Sequence, residues 1–223
     1  MIILKSENIN IITGHFGSGK TEFAINLALR LKEKNQKVTI IDFDIVNPYY
    51  RTKDAREMLE EQGIKVIASE FANTNLEIPS VPAEINSVFE QEGIIIFDVG
   101  GDEDGAIALG RYFDKFQKKG YNMYCVLNER RMQTSNAEDC ETMIHEIESA
   151  SRLSVNGIIN NTHLGGFTTI DDIIRGQSLA EKVAENLEIE VEYICGTEEN
   201  LAQLPSKYDN IKFPIKLYIG ERV

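Results

Sequence analysis

Eight residues, Gly14-His15-Phe16-Gly17-Ser18-Gly19-Lys20-Thr21, match the pattern GxxxxGK[ST] at every fixed position. Apolar Ile9, Ile11 and Ile12 lead into them as a strand, and Ala24, Leu27, Ala28 and Leu31 follow at helical spacing. A strand, a tight turn and an amphipathic helix in that order restrict the fold to a sheet covered by helices. Glycines at the turn let backbone N–H groups curl around phosphate oxygens, while the helix directs the positive end of its dipole at the same anion. Lys20 adds a full positive charge, and Thr21 is placed to bring its hydroxyl to a Mg2+ ion bridging the outer phosphates. The candidate cradle comprises these eight residues and the next one, Glu22.

Further along, Val38-Thr39-Ile40-Ile41 reads as a strand buried on both faces, and it delivers Asp42 and Asp44 at its carboxyl end. Pro48 keeps Ile45 to Arg51 out of helix; Thr52 to Glu61 reads as a helix closed by Gly63, and Lys65 to Ala68 as a short strand. Ser69 to Pro82 is irregular and carries two prolines, the composition of a loop that covers a site. A short helix from Ala83 to Glu90 precedes the most apolar strand, Ile94-Ile95-Ile96-Phe97-Asp98, which runs into Val99-Gly100-Gly101. An aspartate at a buried strand tip with two glycines beside it suits Mg2+ support and γ-phosphate sensing. Asp102, Glu103 and Asp104 extend that acidic turn.

The alternation continues with a helix over Ala106 to Lys118, a strand over Tyr121 to Leu127, and a helix over Ala137 to Ser151. A strand from Val155 to Ile159 ends at Asn160-Asn161, and Gln177 to Leu187 (helix), Glu190 to Ile194 (strand) and a turn at Leu201 to Leu204 complete the series. Such an order dictates an α/β fold, three layers αβα, with a mostly parallel sheet.

With 223 residues and 42% apolar content the chain suits one domain with a sizeable core. Its net charge of -13 argues against general nucleic-acid or anionic-membrane binding, which reward clustered Lys and Arg. Cys125, Cys140 and Cys195 form no CxxC or CxC and are expected as buried thiols. Met1 to Leu4 follow no basic segment, no run has membrane-spanning length, and Pro214 interrupts the apolar residues between Ile211 and Ile219, so a cytoplasmic protein without membrane cycling is expected.

In this order the signals resemble the MinD/ParA/CobQ-like branch of the P-loop ATPases, in the SIMIBI group. The resemblance runs from Ile9 to Leu204 and rests on the phosphate-binding turn, Ile41-Asp42-Phe43-Asp44, Asp98-Val99-Gly100-Gly101 and Asn160. It implies ATP or ADP with Mg2+ as cofactors, Asp42 and Asp98 beside Thr21 as metal support, and Asp44 as the residue that positions the attacking water. It also implies Gly101 in a second switch and Asn160 against the adenine ring. The family lysine that follows the first glycine is His15 here, and an imidazole is no fixed positive charge. His15 would either titrate beside phosphate or pack against the turn.

A guanine site of the common type uses NKxD, which is absent, so ATP is expected over GTP. The leading expectation is an ATPase whose switch loops report the γ-phosphate to a protein partner or a homodimer. Two alternatives are a nucleotide-sensing adaptor with negligible hydrolysis and an ATP-dependent small-molecule kinase or ligase. Arg51, Lys53 and Arg56, with Tyr49 and Tyr50, are candidates for contacts beside the first switch, while His145 and His163 are too scattered for a metal site.

Overall fold

A computed structural model describes residues 7–34, 36–44, 52–68, 84–101 and 103–219. Tyr49, Tyr50, Arg51, the segment Ser69 to Pro82, Asp102 and the side chain of Lys53 lie outside the described residues.

Eight strands form one sheet among the described residues: β1 (Ile9–Thr13), β2 (Val38–Phe43), β3 (Lys65–Ile67), β4 (Ile94–Val99), β5 (Asn122–Leu127), β6 (Gly157–Asn160), β7 (Val191–Gly196) and β8 (Lys212–Pro214). Their order is β3-β2-β4-β1-β5-β6-β7-β8, and every pair is parallel. Eight α-helices accompany them among the described residues: α1 (Lys20–Glu33), α2 (Arg56–Glu61), α3 (Ile85–Val88), α4 (Glu103–Gly110), α5 (Phe113–Lys119), α6 (Ala137–Ser151), α7 (Ile170–Asn186) and α8 (Glu198–Ala202).

Side chains that alternate along each strand build two cores. Ile12, Ile40, Ile96, Tyr124 and Ile159 pack with Phe23, Leu27 and Leu31 of α1 and Leu59 of α2. Ile11, Ile41, Phe97, Met123 and Ile158 face the other way, onto Leu109, Phe116, Ile144 and Val183 of α4 to α7. Both faces are thus covered by helices, the reason these strands read as continuous apolar runs. After β1 the chain winds outward to β2 and β3, then returns to β4 and β5 on either side of β1, so the switch in winding falls at the carboxyl end of β1. Ligands bind at such points in open α/β sheets.

Several boundaries differ from those read in the sequence. Residues 106–118 fall in two helices, α4 ending at Gly110, whose carbonyl accepts from Arg152, and α5 starting at Phe113. The helix expected from Gln177 begins at Ile170, where Thr169 and Asp172 make a capping box. Gly176 obscured that start, since glycine disfavours helix; a Cβ there would lie 2.0 Å from Thr162 Oγ1, so the helix presses on the end of β6. Thr52–Ala55 is a 3₁₀ turn before α2, and α3 spans only Ile85–Val88. Of residues 201–204, expected as a turn, Leu201 and Ala202 close α8 and the chain turns at Gln203 and Leu204. Lys212–Pro214 adds an edge strand, a place where proline's missing N–H leaves no ladder bond unmade. All three cysteines are buried, and burial pushes each thiol up, Cys140 to about 12. Among the described residues no helix is long and apolar enough to cross a membrane.

Candidate functional site

The carboxyl ends of β1, β2 and β4 converge because Ile12 pairs with Asp98 and Asp98 in turn with Asp42. From β1 the chain passes through the turn at residues 14–19 into α1, where Gly19 occupies the N-cap position in the left-handed region, φ 85°. That geometry leaves the first N–H groups of α1 aimed into the turn, an anion-binding arrangement. Lys20 is 7% exposed, and its ammonium donates to the His15 carbonyl at 3.1 Å, folded back along the turn. Gly101 closes the other side: a Cβ on it would stand 2.5 Å from Phe16 N and 2.8 Å from Lys20 Nζ, so only glycine lets the strand-β4 loop approach the turn this closely. Ser18 is fully buried and its hydroxyl has no protein partner among the described residues. Phe16, by contrast, is 56% exposed.

Two carboxylates meet beside the turn. Asp42 is 6% exposed and accepts from Asp44 N at 3.2 Å. Asp98 is 2% exposed; its Oδ2 accepts from Thr52 Oγ1 at 2.8 Å, and its Oδ1 is buried without a hydrogen-bond partner among the described residues. Burial, then the Asp42 carboxylate, raises Asp98 to about 7, against the pull of the Thr52 hydroxyl, Lys20 and the Thr21 hydroxyl. An orphaned buried carboxylate oxygen and a second carboxylate on the neighbouring strand are a donor set suited to a hard cation. Thr21, Asp42 and Asp98 therefore fit Mg2+ chemically. No group of three His, Cys, Asp or Glu side chains suited to a metal occurs among the described residues, so a cation here would need oxygens from phosphate or water as well.

On the far side of the turn a cavity of about 100 Å³ is lined by Gly19, Glu22, Asn161, His163, Thr197 and Leu217, among others. Asn161 Nδ2 donates to the Ser18 carbonyl at 2.7 Å, tying the end of β6 to the turn. Asn160, expected against the adenine ring, turns its side chain away from this cavity. Its side chain is 1% exposed, donates to Ile173 O and Gln177 Oε1 and accepts from Thr162 N, and Asn160 is not among the cavity's lining residues. Successive strand residues point to opposite faces; Asn160 faces α7 and Asn161 faces the turn. Glu22 lines the cavity too, but its carboxylate accepts from Tyr218 N and Ile219 N. One turn on, Asn26 exchanges both bonds with the Lys216 backbone, so the segment after β8 is fastened along α1. Burial leads the causes that raise the Glu22 carboxyl, and it also lowers His163, with Arg131 second.

The remaining candidates separate. His15 Nδ1 lies 3.0 Å from the Phe16 carbonyl, so its ring rests on the turn. Asp44 sits half-buried at the end of β2. Arg56 pairs with Glu60 at 2.8 Å on the surface, away from the turn's hydrogen bonds, and His145 is an exposed partner of Glu148 at 3.5 Å. Thr52, Asn161 and Arg131, whose Nε donates to the Gly17 carbonyl at 2.9 Å, are site residues that the sequence reading missed. Only Asn161 carried a signal, as half of an asparagine pair at a strand end.

A parallel sheet between helical layers, with a GxxxxGK[ST] turn between its first strand and helix, is the fold of P-loop NTPases. Solved structures agree on this fold. The signal recognition particle receptor FtsY from Elizabethkingia anophelis superposes with a TM-score of 0.58 and 18% identity over 93% of this chain and 65% of that one. The cell division protein FtsY from Thermotoga maritima gives 0.56 and 17% over 89% of this chain and 65% of that one. The signal recognition particle 54 kDa protein from Aeropyrum pernix, in complex with GDP, gives 0.54 and 18% over 86% and 42%. This chain thus spans less than two thirds of the length of each. No protein-family model matches the sequence, and no curated protein matches it.

Proposed function

We propose that the chain is a Mg2+-dependent, ATP-binding P-loop protein of the MinD/ParA/CobQ-like type that hydrolyses ATP to ADP and phosphate and reports the γ-phosphate through its switch loops. The orphaned Asp98 Oδ1 facing Asp42 beside Thr21 carries the proposal, because two buried carboxylates at one level call for a cation, and the turn supplies the phosphate that shares it. Mg2+, when bound, would offset charge on the outer phosphates. Lys20 would turn from the His15 carbonyl to phosphate oxygens, the N–H groups of residues 16–21 would cradle the chain of phosphates, and Asp44 would orient the attacking water.

The base is read as adenine. A guanine reader needs a carboxylate free to accept from the base, and the carboxylate lining the cavity, Glu22, already accepts from Tyr218 and Ile219. The similarity to the Aeropyrum protein, whose structure contains GDP, makes GTP the competing nucleotide. Competition of ATP and GTP for the purified protein separates the two.

A second reading is a nucleotide-sensing adaptor with negligible turnover. Exposed Phe16 (56%) and Met132 (83%) favour it, since His15 and Met132 line one surface cleft beside the turn, as a partner contact would require. Phosphate release measured over a range of protein concentrations, with Lys20→Ala as the blank, tests both. Release above the blank that rises with concentration supports the ATPase and a dimer; binding without release supports the adaptor. Asp44→Ala should keep ATP binding and lose turnover by about a hundredfold.

A further inference from the structure

Two arginines follow β5, and they are used differently. Arg130 is consumed inside the protein: it pairs with Asp172 and with Glu129 at 3.6 Å. Arg131 pairs with no carboxylate among the described residues, yet it is not a loose surface side chain, since its Nε donates to the Gly17 carbonyl at 2.9 Å. Its guanidinium stands 3.2 to 3.5 Å from where a side chain on Gly17 would begin, flat against the outer wall of the phosphate-binding turn.

The mounting is stiff. Asn128, fully buried at the end of β5, accepts from Arg130 N and His163 N through Oδ1 and donates to the His163 carbonyl. Arg131 N donates to the Asn128 carbonyl at 3.0 Å, and Thr134 Oγ1 to the same oxygen at 2.6 Å. A guanidinium has five donors, of which one is spent on Gly17. Among the described residues the ionisable groups named beside the turn are Lys20, Asp42 and Asp98, while position 15 holds an imidazole. A nucleotide bringing several negative charges to this turn would meet, among the described residues, the buried Lys20 ammonium and the Arg131 guanidinium.

We propose that Arg131 is a nucleotide-binding residue, whose guanidinium holds the Gly17 peptide and presents its remaining donors and its charge to the polyphosphate of the bound nucleotide. This rests on the phosphate-turn reading above and adds a contact from the loop after β5. The alternative is a purely structural brace for Gly17.

The test is calorimetric titration of wild type, Arg131→Ala, Arg131→Lys and Lys20→Ala with Mg-ATP and with Mg-ADP, each at low and high salt. Losing one charge-assisted contact should weaken Arg131→Ala about tenfold or more for both nucleotides and make its affinity less dependent on salt. Arg131→Lys should keep the salt dependence and recover part of the affinity, because it keeps the charge and loses the planar fork. Arg131→Ala binding within about twofold of wild type, or a loss that salt does not modulate and lysine does not relieve, would overturn the proposal in favour of the brace. Failure of wild type itself to bind either nucleotide above Lys20→Ala would instead refute the phosphate-turn reading.

Discussion

Replacing Asp98 by asparagine should stabilise the protein while disabling the proposed cation site. In the absence of metal and nucleotide, burial and the neighbouring Asp42 raise the Asp98 carboxyl from 3.8 to about 7. The folded state then holds a proton that the unfolded chain releases. The contribution of this carboxyl to stability is accordingly greatest below about pH 4, falls as pH rises to about 7, and is flat above. At 1.4 kcal/mol per pH unit the full difference is about 4 kcal/mol, an upper figure because water and nearby donors relax around a buried charge. Asparagine keeps the shape and the acceptor for Thr52 Oγ1, and its amide can donate towards Asp42. Denaturant unfolding in a chelator should show Asp98→Asn nearly equal to wild type at pH 4 and more stable by up to about 4 kcal/mol at pH 8. For a chain of this size that is roughly 8 to 16 °C in thermal midpoint. Saturating Mg2+ with ATP should shrink or reverse the difference, since wild type alone gains the binding energy. An asparagine variant no more stable than wild type at pH 8, or more stable by the same amount at both pH values, would refute the account of Asp98.

The two asparagines at the end of β6 should part company on substitution. Asn161→Ala strands the Ser18 carbonyl, costing about 1 to 3 kcal/mol and weakening nucleotide binding as seen by titration, whereas Asn160→Ala should act on global stability through its buried bonds to α7. Gly176→Ala ought to lower the thermal midpoint by the equivalent of about 1 to 3 kcal/mol, because the added methyl meets Thr162; a rise, as helix propensity alone predicts, would contradict the packing. A thiol reagent at neutral pH should find no reactive cysteine in the native protein and three after denaturation, since each thiol is buried and its acidity suppressed.

Local chemistry made much of this protein legible in advance. The turn Gly14 to Thr21 announces itself because phosphate binding needs glycine, lysine and threonine at set spacings within a few residues. Runs such as Val38-Thr39-Ile40-Ile41 and Ile94-Ile95-Ile96-Phe97 reveal strands covered on both faces, and Asp42 and Asp98 at their ends follow from that. The helix over Ala137 to Ser151 was legible to the residue, with Asn136 capping it through a bond from Asp139 N at 3.0 Å. The start of α7 was not, because Gly176 answers to Thr162, fourteen residues earlier in the chain and adjacent only in space.

The same distinction divides the site. Sequence by itself determined which residues could carry phosphate and metal chemistry, since those requirements are written in residue types and short spacings. Tertiary structure alone decided that Asn161 rather than Asn160 meets the turn, that Thr52 shares Asp98, that Glu22 fastens the segment after β8, and that Arg131 lies on Gly17. These are contacts between elements far apart in the chain, set by strand order and the two-residue alternation of side chains, and no local pattern encodes them.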